Sequence, residues 1–182
     1  MKPRVKEIEI KAQVSSLKSL EEKFKQMGCS FTPSLVQTDR IYLPRDMSFD
    51  SIPPGTSVLR IRQQNNKNLF TLKQVMSVAL DKVEKEVEID DAEVMSEILE
   101  LLDYHQALEV NKARIKTKFK GYEICLDEVK GLGSFIEVEK MSSEDGQVVQ
   151  DELFAFLETL GISQNQKVTQ GYDVLLFAKS KK

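Results

Sequence analysis

Polar residues, nearly all of them charged, recur at spacing two along this 182-residue chain, and the recurrence is its most chemical feature. Glu7, Glu9 and Lys11 begin the series; Arg60 and Arg62, Thr71 and Lys73, the acids Glu84, Glu86 and Glu88, Lys112 and Arg114, and Glu137 and Glu139 continue it. On a β-strand that spacing places each set on one face, so Ile8, Ile10 and Ala12 share the face opposite Glu7, Glu9 and Lys11. A half-buried strand with its charges in solvent shows the same alternation once. Its repetition, with cations and carboxylates both on the polar face, suits the wet interior of a barrel that holds a polyanion and its metal ions.

The segment Gln64 to Asn68, Q-N-N-K-N, reads as a hairpin turn, which sets Thr71 and Lys73 beside Arg60 and Arg62. Three cations placed together repel one another, so the arrangement makes sense when an anion sits between them. The net charge of −3 gives no basic footprint for nucleic acid. His105 is the only histidine, which argues against a Ser/His/Asp or Cys/His nucleophile and against His-rich metal sites. Cys29 and Cys125 lie far apart and form no C-x-x-C pair, so they read as reduced thiols. Carboxylates are then the available metal ligands, and oxygen-only ligation points to Mg²⁺ or Mn²⁺.

The elements that would position these residues alternate strand blocks with amphipathic helices. A strand over 5–14 precedes a helix capped by Ser15 or Ser16, with the stripe Leu17, Leu20, Phe24 and Met27 and a stop at Gly28. A strand over 31–43 carries Asp39, and the proline-rich 44–55 reads as a loop. Residues 75–81 read as a looser connection. Asp90 or Asp91 caps a helix with the stripe Val94, Ile98, Leu101 and Leu102, and a third helix over 148–160 shows Leu153, Phe154, Leu157 and Leu160. Asp127 shares a strand face with Glu123 and Cys125, and Tyr172 lies in a tail that ends in lysines. The expectation is one domain over 1–182, an α+β fold with helices packed on the outside of a β-barrel. The N-terminus has no apolar signal region and no apolar run nears the ~20 residues of a membrane span, so a cytoplasmic protein with no membrane partner is expected.

The combined motifs resemble the CYTH family of triphosphate tunnel metalloenzymes over nearly the whole chain. E-x-E-x-K stands as Glu7, Glu9 and Lys11, R-x-R as Arg60 and Arg62, T-x-K as Thr71 and Lys73, K-x-R as Lys112 and Arg114, and the closing acidic strand as Glu137 and Glu139. Residues 37–42, Q-T-D-R-I-Y, and 126–139 look most like the class IV adenylyl cyclase branch. The resemblance implies an antiparallel eight-stranded tunnel acting on a nucleoside or organic triphosphate. It implies Lys11, Arg60, Arg62, Lys73, Lys112 and Arg114 as the phosphate clamp, Glu7, Glu9, Asp127, Glu137 and Glu139 as ligands of Mg²⁺ or Mn²⁺, and Glu86 as a further lumen acid. Lys11, Lys73 and Glu86 are the candidates for the catalytic base, with Glu84 and Glu88 competing for the place of Glu86. The first expectation is an adenylyl cyclase making cyclic AMP and pyrophosphate from ATP. The alternative is a triphosphatase acting on thiamine triphosphate, inorganic tripolyphosphate or a nucleotide, and a non-catalytic polyphosphate- or nucleotide-binding module comes third. The oligomeric state, a homodimer included, stays open.

Overall fold

The computed structural model describes residues 6–75 and 82–181. The strands are β1 (Lys6–Val14), β2 (Leu35–Pro44), β3 (Ser57–Gln64), β4 (Lys67–Val75), β5 (Lys82–Ile89), β6 (Tyr104–Phe119), β7 (Tyr122–Val129), β8 (Gly133–Ser142) and the two-residue β9 (Lys167–Val168). The helices are α1 (Leu17–Gln26), α2 (Ala92–Leu101), α3 (Gly146–Thr159) and α4 (Tyr172–Ser180). The strands form one antiparallel sheet in the order β5-β4-β3-β2-β6-β7-β8-β1-β9, with no ladder joining its two ends among the described residues. The short ninth strand, paired with β1 at two positions, adds to the eight strands expected. The looser connection expected at 75–81 lies outside the described residues apart from Val75, which ends β4.

The chain divides into two compact units, the first Met1–Ser34 with Ala113–Gln170 and the second Leu35–Lys112 with Gly171–Lys182. In the first, β1, β7 and β8 turn Ile8, Ile10, Ile124, Leu126, Ile136 and Val138 toward α1 and α3, which supply Leu20, Phe24, Val149, Leu153, Phe154 and Leu157. Each strand's other face is thereby left for the charged residues. Ser16 caps α1 by accepting from the Ser19 amide. Its far end closes in a Schellman turn, with the Gly28 amide on Lys25 O and the Cys29 amide on Phe24 O, and Gly28 at φ +86°. Phe24 is fully buried and meets Phe31 and Phe119 edge-on at centroid distances of 6.1 and 6.2 Å. Phe24→Ala should therefore cost about 3–5 kcal/mol in chemical denaturation, most of it the cavity left among these rings; a loss under about 1 kcal/mol would show that the pocket collapses.

In the second unit, α2 packs on β3 through a face other than the expected stripe. Ala92, Ser96 and Leu99 are buried, while Val94 is 50% and Leu101 86% exposed, with Ile98 and Leu102 exposed as well. The reason is polar: Tyr42 is fully buried, and its hydroxyl needs a partner, which it finds in Ser96 Oγ at 2.8 Å. Arg40 fixes the same rotation by a two-pronged bond to Glu93 at 2.6 and 3.0 Å. The tail of the chain forms α4, where Phe177 packs on Phe49 and Lys181 pairs with Asp50.

Candidate functional site

Strand pairing sets the charges of the first unit. On β1, β8 and β7, Glu9 stands opposite Glu139, which stands opposite Glu123; one rung along, Lys11 faces Glu137, which faces Cys125. Glu7, Glu9 and Glu139 come together, with a ligand atom of each within 4.8 Å of the others. Burial, then the charges of Glu7 and Glu137 and, less, of Glu9, push the Glu139 carboxyl up to about 7. Carboxylates crowded to that degree, with oxygen donors throughout, fit a hard divalent cation.

The other two expected ligands are held differently. Arg114 reaches both oxygens of Asp127, with Nε on Oδ1 at 2.6 Å, and also bonds Glu137; Lys11 Nζ lies 3.1 Å from the second Glu137 oxygen. Asp127 is completely buried, and Arg114 and Glu137 nearly so. Burial opposes the Arg114 charge, but the Asp127 hydrogen bonds and the Glu137 charge outweigh it and raise its pKa above the ordinary guanidinium value. Lys11 also reaches Gln170 O at 3.5 Å. Glu139 has a second mixed neighbourhood, with Glu123 and the Cys125 thiol within 4.8 Å. Burial pushes that thiol up to about 12, so it stays protonated.

In the second unit, β2 to β5 bring the remaining cations together. Arg60 donates to Thr71 Oγ1 at 3.1 Å and to Glu86 at 3.3 Å, and lies 3.7 Å from Glu84; Thr71 in turn donates to Glu86 at 2.9 Å. Lys73 pairs with Glu84 at 3.1 Å. Arg62 grips Asp39 with two bonds of 2.6 and 2.7 Å. Burial would raise the Asp39 carboxyl, but Arg62, then Arg60 and Lys112, hold it below the usual range. Lys112 also sits 5.0 Å from the centre of the Tyr172 ring at the start of α4. For Arg60, burial and the neighbouring Arg62 charge work against the cation, and its Nε is buried with no hydrogen-bond partner. Three carboxylates therefore leave this cationic group with donor capacity still unused.

Of the acids competing on β5, Glu84 and Glu86 both reach the cations, whereas Glu88 pairs with Lys67. The sequence assigns no role to Asp39 or to Glu123, although the structure brings both among the charged groups. The signal for Asp39 was parity, since it alternates with Gln37 and faces an arginine once β2 and β3 are in register.

The chain is also similar to known proteins. The family model described as CYTH domain matches residues 5–172. A candidate adenylate cyclase of Methanocaldococcus jannaschii is 28% identical over 170 residues, covering 91% of this chain and 95% of the relative. Among solved structures, a protein of Pyrococcus horikoshii superposes with a TM-score of 0.81 at 29% identity, covering 96% of this chain and 99% of the other. A candidate adenylyl cyclase from Hippeastrum, described as having a dominant triphosphatase activity, gives a TM-score of 0.67 at 22% identity, with 97% of each chain covered.

Proposed function

The chain belongs to the CYTH family, and on that premise we propose that it is a divalent-metal-dependent enzyme acting on a nucleoside or small organic triphosphate, in the first instance an adenylyl cyclase. The observation that carries this is Arg60, a buried guanidinium crowded by Arg62 and with Nε unsatisfied, which a phosphate oxygen would complete. Arg60, Arg62, Lys73 and Lys112 grip the phosphates. Glu7, Glu9 and Glu139 would hold Mg²⁺ or Mn²⁺, which would supply neutralisation of phosphate charge. Asp127 and Glu137 fix the side chains of Arg114 and Lys11, the remaining cations of the expected clamp.

Phosphoryl chemistry of this kind depends on positioning and charge stabilisation. In the cyclase reaction the ribose 3′-oxygen attacks the α-phosphorus, its proton passes to a base, and pyrophosphate leaves. Glu86, already an acceptor for Thr71 and Arg60, is the base we assign, ahead of Lys11 and Lys73. The hydrolase alternative, water attacking the terminal phosphorus, gains support from the triphosphatase activity described for the Hippeastrum neighbour. Incubation with ATP and Mg²⁺ or Mn²⁺ decides between them, since cyclic AMP with pyrophosphate marks the cyclase and ADP with phosphate the hydrolase. Arg60→Ala should weaken triphosphate binding by about tenfold to a hundredfold and Lys73→Ala, more exposed, by less. Unchanged affinity in both variants would sink the phosphate assignment.

A further inference from the structure

Gln37 takes no part in the proposed phosphate grip, yet it is only 2% exposed and shares the Asp39 face of β2. Its Nε2 donates to Gln64 Oε1 at 2.7 Å, and its own Oε1 is buried with no hydrogen-bond partner. Of the six β2–β3 rungs, three lie on this face, and the pair forms the last of them: Ile41 with Arg60, Asp39 with Arg62, and Gln37 with Gln64. Each rung advances about 7 Å along the strand, so the amides stand about 14 Å beyond Arg60. Over that distance Leu69 of β4 stands opposite Arg62, and Lys67, already paired with Glu88 at 2.9 Å, stands opposite Gln64.

A buried acceptor without a donor is costly to keep. An ionised polyphosphate carries acceptors only and cannot satisfy it. A group bearing N–H or O–H can. We infer that the Gln37–Gln64 rung is the subsite for the neutral, N–H-bearing end of an organic triphosphate, such as a nucleotide base, and that it sets a preference for such a substrate over bare polyphosphate. Gln64 is the more exposed member of the pair, so the ligand's approach would be from its side. The inference rests on the triphosphate grip proposed for Arg60 and Arg62, and it adds which triphosphates are favoured. Sites built to hydrogen-bond a ligand group discriminate strongly against analogues that lack it.

The test is calorimetric binding of ATP and of inorganic tripolyphosphate, without added divalent cation so that ATP is not consumed. Gln37→Leu should weaken ATP binding by about tenfold and leave tripolyphosphate within about twofold. Its ligand-free melting temperature should change little, because removing the unpaired buried acceptor offsets losing the bond to Gln64 Oε1, whereas a purely structural glutamine would be missed. Gln64→Ala, at the more exposed position, provides a second variant with a smaller ATP-selective loss expected. Equal losses for both ligands, or no loss of ATP affinity in either variant, overturn the inference. Wild-type protein that binds tripolyphosphate as tightly as ATP overturns it while leaving the phosphate grip intact, and wild-type protein that binds neither removes both.

Discussion

Arg114→Met is expected to destabilise the protein by about 3–5 kcal/mol, with a fall in melting temperature of roughly 10 °C. Methionine keeps an unbranched apolar stem and lacks the guanidinium, so the loss is mainly electrostatic. Asp127 and Glu137 are buried, and Arg114 supplies three of their hydrogen bonds. Without the guanidinium, Asp127 becomes a carboxylate out of water without its two charged hydrogen bonds, and Glu137 is left to Lys11. Removing one member of a buried pair costs more than the pair itself contributes, because the remaining charge stays desolvated. The double variant Arg114→Met, Asp127→Asn should accordingly recover about 1–3 kcal/mol, a coupling that denaturant titration of the four proteins reads directly. A single-variant loss under about 1 kcal/mol, or strict additivity, would mean that water or another cation reaches Asp127. Had Asp127 been free to serve as a metal ligand, Asp127→Asn alone would abolish metal affinity; with Arg114 holding both its oxygens, Mn²⁺ binding should change by no more than a few-fold.

The difference between those two kinds of acid marks where sequence reasoning reaches its limit. Parity along each strand is a local property, so the shared face of Glu7, Glu9 and Lys11, and of Arg60 and Arg62, could be read directly. Which residues then meet depends on cross-strand register. The β3–β4 hairpin announces its register through the Asn65-Asn66 turn, and Thr71 does fall opposite Arg60. Strands β2 and β3 are joined by a long proline-rich loop with no such signal, so the Asp39–Arg62 pair stayed hidden. Strands β1 and β8 are more than a hundred residues apart, and no local signal pairs Lys11 with Glu137 or Glu9 with Glu139; the family likeness implies only that Glu9, Glu137 and Glu139 serve one metal site. Helix α2 failed for another reason. Its hydrophobic stripe is real, but the helix is turned by what Tyr42 and Arg40 require, and hydropathy carries no information about the hydrogen bond of a buried hydroxyl.

Glu139→Gln is expected to lower metal-dependent turnover by about a hundredfold or more, the equivalent of about 3 kcal/mol of transition-state stabilisation. Its geometry singles it out: Glu139 stands opposite Glu9 on β1 and Glu123 on β7, so it is the acid common to every cluster around it. The same crowding gives a pH signature with a definite sign. The folded carboxyl titrates near 7, above its ordinary 4.5, so between those values the folded state holds a proton that the unfolded chain has released. Without metal, this group's contribution to stability is therefore complete below about pH 4.5 and is lost as the pH rises through about 7. Metal binding must expel that proton, so Mn²⁺ affinity should climb by up to about tenfold per pH unit from pH 5 to 7 and level off above. Glutamine cannot ionise, and in Glu139→Gln both the climb and the loss of stability toward neutral pH should flatten. Direct Mn²⁺ titration across that range reads this without any assay of turnover. A wild-type affinity that stays level from pH 5 to 7, or a Glu139→Gln variant that keeps the full slope, would place the cation on other ligands. Glu139 would then be only a protonated acid buried among its neighbours.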